Sequence, residues 1–80
     1  MSVISYGLIK IYSVKDREVH KEVINLTQVK ECTLVYGEYD MVLKVEVQDF
    51  NKLDELIFDT LRKIGGVEST KTLIGTRKIK

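Results

Sequence analysis

The chain has 80 residues, and we expect a single domain over residues 1–80. Its 13 Lys and Arg residues against 12 Asp and Glu residues give a formal net charge of +1, which disfavours a dedicated nucleic-acid-binding protein. A single cysteine, Cys32, excludes an internal disulfide and a multi-cysteine zinc site. No apolar run is long enough to span a membrane, and the N-terminus lacks the features of a signal peptide, so we expect a cytoplasmic protein.

The first part of the chain predicts a strand followed by a helix. Residues 3–12 are rich in β-branched and aromatic types, which favour a strand. Apolar residues on both of its faces indicate a strand that is central in the sheet or covered on both sides. Asp16 is a candidate N-cap for a short amphipathic helix. In that helix Val19, Val23 and Leu26 recur at helical spacing and form the inward side.

The middle of the chain predicts two strands joined by a hairpin. Residues 29–36 alternate imperfectly, with Cys32, Leu34 and Tyr36 on one side. The next strand alternates cleanly, since the apolar residues Met41, Leu43, Val45 and Val47 share one face. One buried and one wetter face are typical of an antiparallel sheet.

The last part predicts a second helix and a final strand. Asp49 can cap the helix, and Gly65–Gly66 ends it. The last strand is predicted from Val67 to about Ile79. The apolar stripe of the helix consists of Phe50, Leu53, Leu56, Ile57, Leu61 and Ile64.

The resulting order, βαββαβ, indicates an α+β, ferredoxin-like fold: a four-stranded antiparallel sheet with two helices on one face. The other face of the sheet has no helix to cover it, and Thr33, Val35, Val42 and Lys44 are among its candidate residues. Because an apolar face is rarely left in water, we expect a dimer that packs through this face.

Groups that could support catalysis are scarce. His20 is the only histidine and flanks the inward stripe of the first helix, which predicts a boundary position rather than a base or a ligand. Cys32 has no histidine near it in sequence and is expected to act as a small buried hydrophobe. We therefore expect no enzyme, no cofactor and no metal.

The hairpin sequence Gly-Glu-Tyr-Asp, residues 37–40, has the groups that a free α-amino acid requires. Gly37 permits an unusual backbone angle, and the amides of Glu38, Tyr39 and Asp40 could accept a carboxylate. The Asp40 side chain could bind an ammonium group, and Tyr39 could supply an apolar wall. An ordinary hairpin loop is the alternative interpretation of the same residues.

The whole chain resembles the effector-binding domain of the Lrp/AsnC (feast/famine) transcriptional regulators, also called the RAM domain. The resemblance rests on the G-x-Y-D hairpin, the approach to it and a G-V-x-x-T-x-T final strand. The matching residues are Val29, Cys32, Val35, Tyr36, Gly37, Tyr39, Asp40, Gly66, Val67, Thr70 and Thr72.

The resemblance implies a dimeric α/β barrel or sandwich that assembles into an octamer or decamer. It also implies an amino-acid effector bound near Gly37, Glu38, Tyr39 and Asp40, with Thr70 and Thr72 as weaker candidates from a neighbouring chain. The regulators of this family carry an N-terminal helix-turn-helix domain that these 80 residues do not contain. We therefore expect a stand-alone form without direct DNA binding, which could associate with full-length Lrp/AsnC regulators.

Two other functions are compatible with the sequence. A small dimeric ferredoxin-like enzyme of the monooxygenase or isomerase type shares this strand order, although such enzymes usually place a histidine or several polar groups in the pocket between sheet and helices. A pure assembly module without a ligand is the second alternative.

Overall fold

The computed structural model describes residues 2–80, and Met1, which the domain prediction includes, lies outside the described residues. Four strands and two helical segments follow one another along the chain in the predicted order, βαββαβ. Their bounds are β1 Val3–Ile11, α1 Asp16–Val23, β2 Val29–Leu34, β3 Met41–Val47, α2 Phe50–Asp54 and β4 Val67–Ile74.

The strands form one antiparallel sheet with the order β2-β3-β1-β4. The two central strands, β1 and β3, are neighbours although they are not consecutive in the chain, so the two βαβ halves interleave. This topology confirms the predicted ferredoxin-like α+β fold.

The core lies between one face of the sheet and the two helical segments. Every second residue of β3 is buried on this face, as the clean alternation of its sequence predicted. Ile9 and Leu43 are fully buried there, and Val19 and Val23 of α1 pack into the same cluster. The second helical segment begins with α2 and continues to Lys63. It completes the core with Leu53, Leu56 and Leu61, and Ile64 directly after it is also buried there.

The opposite face of the sheet carries no helix and keeps apolar groups in contact with solvent. Tyr6 and Leu73 face each other across β1 and β4 and are 38% and 48% exposed. Leu8 and Val42 face each other across β1 and β3 and are half-buried. We call this surface the open face.

The second helical segment departs from the regular helix that its sequence predicted. Asp49 caps it as expected, because its Oδ1 accepts a hydrogen bond from the Lys52 N–H at 2.9 Å. After α2, however, the chain continues through a π-helical stretch, Glu55–Thr60, and a 3₁₀ turn, Leu61–Lys63. Phe50, which was assigned to the apolar stripe, is exposed.

The start of α1 also differs from the prediction. A 3₁₀ turn at Ser13–Lys15 precedes the helix, and the backbone of Asp16 is already helical. The carboxylate of Asp16 accepts only from the next amide, that of Arg17. The prediction of Asp16 as N-cap is therefore wrong, because the chain begins to turn three residues earlier.

Two strands are shorter than predicted. β2 ends at Leu34, and Tyr36 is fully exposed outside it rather than sharing a side with Cys32. β4 ends at Ile74 rather than near Ile79, because its partner β1 begins at Val3 and offers little more backbone to pair with.

Candidate functional site

The loop between β2 and β3 holds the predicted Gly-Glu-Tyr-Asp sequence. Gly37 adopts a positive φ of 129°, which L-residues rarely adopt, so glycine is required there by the backbone. The Val35 N–H donates to the carbonyl of Asp40 at 3.0 Å and closes the loop. Glu38 is exposed and Tyr39 is half-buried.

Asp40 ties this loop to the end of β1. Its backbone N–H donates to the carbonyl of Ile9 at 2.9 Å, and its Oδ2 accepts from the N–H of Ile11 at 2.8 Å. The carboxylate is therefore held in one orientation, and its second oxygen has no partner among residues 2–80. Because the Asp40 amide is already engaged by Ile9, the expectation that it would help bind a ligand carboxylate is wrong.

A cleft of about 410 Å³ lies beside Asp40, between the loop, the end of β1 and α1. Apolar and polar side chains both line it, and we call it the Asp40 cleft. Its lining residues are Ile11, Ser13, Asp16, His20, Leu34, Val35, Tyr36 and Asp40.

Only one of the predicted loop residues, Asp40, lines this cleft. The aromatic ring on its wall belongs to Tyr36, whereas Tyr39, to which the sequence assigned that role, is not among the lining residues. Asp16 and His20 enter from α1, and sequence reasoning had not included them in the site. The half-burial of His20 agrees with its predicted boundary position.

Thr70 and Thr72 lie on β4, on the far side of β1 from the loop. They pair with Ile9 and Gly7, whose positions in β1 face the helices. Neither threonine is among the residues that line the Asp40 cleft, so a role for them at that cleft requires a neighbouring chain.

The Cys32 thiol and the distribution of possible metal ligands bear on the chemistry that the molecule could support. Burial raises the pKa of the Cys32 thiol above its ordinary value, which disfavours the reactive thiolate. Across residues 2–80, no three His, Cys, Asp or Glu side chains are grouped so that they could hold a metal ion, and no helix is long and apolar enough to cross a membrane.

Comparison with known proteins gives one consistent family. The family model for the Lrp/AsnC ligand binding domain matches residues 8–80. An uncharacterized HTH-type transcriptional regulator of Pyrococcus horikoshii is 34% identical over 64 residues, which cover 80% of this chain and 43% of the regulator. The leucine-responsive regulatory protein of Klebsiella pneumoniae is 32% identical over 63 residues, covering 79% of this chain and 38% of that protein. The chain thus spans less than half the length of these curated relatives.

Solved structures agree with this result. The crystal structure of FFRP-DM1 superimposes with a TM-score of 0.88 at 35% identity, covering 92% of this chain and 99% of that one. A transcriptional regulator of Neisseria meningitidis, solved in complex with L-Met, shares the fold with a TM-score of 0.92 at 24% identity, covering 98% of this chain and 53% of the regulator. The family match over nearly the whole chain and the shared fold lead to one conclusion: the chain belongs to the Lrp/AsnC family, as a ligand-binding domain of the type found in its transcriptional regulators.

Proposed function

We propose that this domain is a non-enzymatic, oligomeric effector-binding module for a free amino acid in the cytoplasm. The observation that carries the proposal is the Asp40 carboxylate, which the Ile11 N–H holds in place at the edge of a cleft of about 410 Å³. A fixed carboxylate is a receptor for an ammonium group, because little conformational freedom is lost when the ligand binds. The membership in a family of ligand-binding domains supports the same function.

In the proposed complex the ammonium group of the amino acid binds the unpaired oxygen of Asp40. The amides of Glu38 and Tyr39, which follow the positive-φ Gly37, are left to bind the carboxylate, since the amide of Asp40 is already engaged. Leu34, Val35 and Tyr36 line the cleft and would surround an apolar side chain.

The same proposal includes an assembly. Two copies pack through their open faces into an α/β dimer, and dimers join into an octamer or decamer in which Thr70 and Thr72 approach the site of a neighbouring chain. The half-exposed Tyr6 and Leu73 of the open face support this packing, because exposed apolar patches in small domains mark interfaces. Since the curated relatives are longer transcriptional regulators, we propose that the module acts by associating with such full-length regulators and modulating transcription of amino-acid metabolism.

A thermal-shift screen against each common amino acid at millimolar concentration is the first test. A ligand present at about 100 times its Kd adds about 2.7 kcal/mol of stability, which in a domain of this size shifts Tm by about 4–8 °C per kcal/mol. If no amino acid raises Tm, the proposed function is wrong.

Calorimetry on Asp40→Asn then tests the site itself. Asparagine can still accept the hydrogen bond from Ile11, so the loop is kept while the charge is lost. A charge-assisted hydrogen bond contributes about 1.5–3 kcal/mol, so we expect binding at least about tenfold weaker. Asp54→Asn, an equivalent change on the exposed side of α2, is the matched control and should bind normally. Equal affinity in Asp40→Asn and the parent would remove Asp40 from the site.

A further inference from the structure

The Asp40 cleft has an unbalanced negative charge that the proposed function does not yet use. Its ionisable lining residues are Asp16, His20, Tyr36 and Asp40. Within residues 2–80 no lysine or arginine lines it, although the chain has 13 such residues. Three other clefts of the molecule each include at least one lysine or arginine. The two carboxylates of the Asp40 cleft are therefore not neutralised by a permanent cation beside them.

Asp16 brings the second of these carboxylates from α1. It is the first residue of the helix, and His20 follows four residues later, so both side chains lie on the same side of α1. Its Oδ1 accepts from the N–H of Arg17 at 2.7 Å, and its other carboxylate oxygen has no partner among residues 2–80. Neither Asp16 nor Asp40 forms an ion pair with those residues. Each carboxylate thus keeps one oxygen for a ligand.

The dipole of α1 acts in the opposite direction at this place. The N-terminal end of a helix is equivalent to roughly half a positive charge, which by itself favours an anion. Asp16 and Asp40 carry one full negative charge each, so together they outweigh the helix end. A ligand group that enters this part of the cleft is therefore more favourable as a cation than as a second carboxylate.

From these charges we infer that the cleft selects an amino acid whose side chain ends in a positively charged group, and that Asp16 determines this specificity. The inference rests on the proposed function, in which the α-ammonium group binds Asp40. The side chain of the ligand extends towards α1, where its terminal cation binds the free oxygen of Asp16. Ile11, Leu34 and Val35 line the same cleft and contact the methylene groups of such a side chain. Asp16 is not among the residues that the family resemblance or the proposed function assigns to the ligand.

Calorimetry on the 80-residue protein with L-lysine, L-norleucine and L-glutamate tests this specificity. Norleucine has the four-carbon side chain of lysine without the ammonium group, so the two ligands differ by the charge alone. Asp16 is exposed, and an exposed ion pair contributes little, so we expect lysine to bind about two- to fivefold more tightly than norleucine. Glutamate should bind most weakly of the three. In about 1 M NaCl the advantage of lysine should shrink, because salt screens exposed charges.

Asp16→Asn is the variant that isolates the charge. Asparagine can still accept from the Arg17 N–H, so the start of α1 and the Tm without ligand should be unchanged. The variant should bind lysine and norleucine equally, with the norleucine affinity of the parent. Glu22→Gln is the matched control, since it removes an exposed carboxylate from the same helix without changing the lining of the cleft, and it should keep the advantage of lysine.

The outcomes separate this inference from the function on which it rests. If norleucine binds as tightly as lysine, or if Asp16→Asn keeps the advantage of lysine, the inference is wrong and the amino-acid site stands. If Glu22→Gln loses the advantage as fully as Asp16→Asn does, the net charge of α1 attracts lysine and Asp16 does not determine specificity. If no amino acid binds the parent, the inference and the proposed function are both wrong.

Discussion

Gly66 is the residue at which the structure predicts the largest effect of adding one methyl group. Its φ is +103°, in the region that L-residues rarely adopt, and its carbonyl accepts from the N–H of Tyr12 at 2.9 Å. A Cβ built on Gly66 would lie 2.5 Å from the Cβ of Lys15 and 2.9 Å from Cγ2 of Val19. Val19 is fully buried and Lys15 Cβ is attached to the backbone, so neither atom can move away easily.

The size of the effect follows from two contributions. A non-glycine residue in a sparsely populated backbone conformation costs about 1–3 kcal/mol, and inserting a methyl group into a packed site costs typically about 1–3 kcal/mol more. Gly66→Ala is therefore expected to lose about 2–6 kcal/mol of the free energy of unfolding. For 80 residues at about 0.05–0.15 kcal/mol each, the whole stability is about 4–12 kcal/mol, so the variant is expected to be marginally folded.

Two other glycines separate these contributions. Gly37 has a φ of +129° but no atom within 4 Å of its built Cβ, so Gly37→Ala should show the backbone cost alone, about 1–3 kcal/mol. Gly65 has neither a positive φ nor a close neighbour, so Gly65→Ala should stay within about 0.5 kcal/mol of the parent. Urea unfolding followed by circular dichroism, at one protein concentration, measures all three variants. If Gly66→Ala loses no more stability than Gly37→Ala, the steric part of the reasoning is refuted.

Three further predictions concern the two faces of the sheet. Val42→Lys places a charge on the open face, so light scattering should show a lower mass that approaches the 9.2 kDa of one chain. The circular dichroism spectrum should be unchanged. An oligomer of undiminished mass would contradict dimerisation through this face. Ser5 is 1% exposed and its hydroxyl has no partner within residues 2–80, so Ser5→Ala should unfold at the same or a higher urea concentration, and a loss above about 1 kcal/mol would show that the hydroxyl is bonded. Burial raises the pKa of the Cys32 thiol above its ordinary value, so a thiol reagent at pH 8 should react more slowly with the folded protein than with the urea-unfolded chain. Because folding favours the protonated thiol, the contribution of Cys32 to stability should fall as pH rises through the range in which an ordinary thiol ionises, and equal reaction rates in the two states would contradict the raised pKa.

The sequence predicted the fold well where the buried residues recur at one regular interval, as in a strand that buries every second side chain. The buried face of the strand Met41–Val47 was predicted residue by residue, because a strand that buries one face must alternate at every residue. The end of β4 could not be predicted in this way. It depends on where the partner strand begins, and Ile79, the apolar residue that extended the predicted strand, is exposed.

The π-helical stretch is a feature that the spacing of apolar residues alone does not predict. Leu56 and Leu61 are both buried although they are five residues apart, a spacing that places residues on different sides of a regular α-helix. In the stretch Glu55–Thr60 the wider turn brings residues five apart closer to the same side, so both leucines reach the core. The predicted apolar stripe already contained both leucines. A pattern of three- and four-residue intervals, however, does not indicate that the helix between them is wider than an α-helix.

The candidate site was predicted in part, because its residues are close in space through contacts that no local pattern encodes. The hairpin Gly37–Asp40 was recognised from its turn chemistry, and Gly37 has the predicted unusual backbone. The packing of α1 beside this loop, which brings Asp16 and His20 to the Asp40 cleft, depends on the arrangement of the whole sheet. Tyr36 lines the cleft from the loop rather than from a strand, since β2 ends two residues before it.

Asp40 has a structural role in the loop and, in our proposal, a second role in binding the ligand. Its amide and one carboxylate oxygen bind the backbone of β1, so the position of the second oxygen is set by the sheet rather than by the rest of the loop. A receptor fixed in this way loses little conformational entropy when it binds a ligand. It also means that removing the side chain would leave the Ile11 N–H without its partner and alter the loop and the charge together. A change that keeps the acceptor and removes only the charge is therefore the one that separates the structural role of Asp40 from ligand binding.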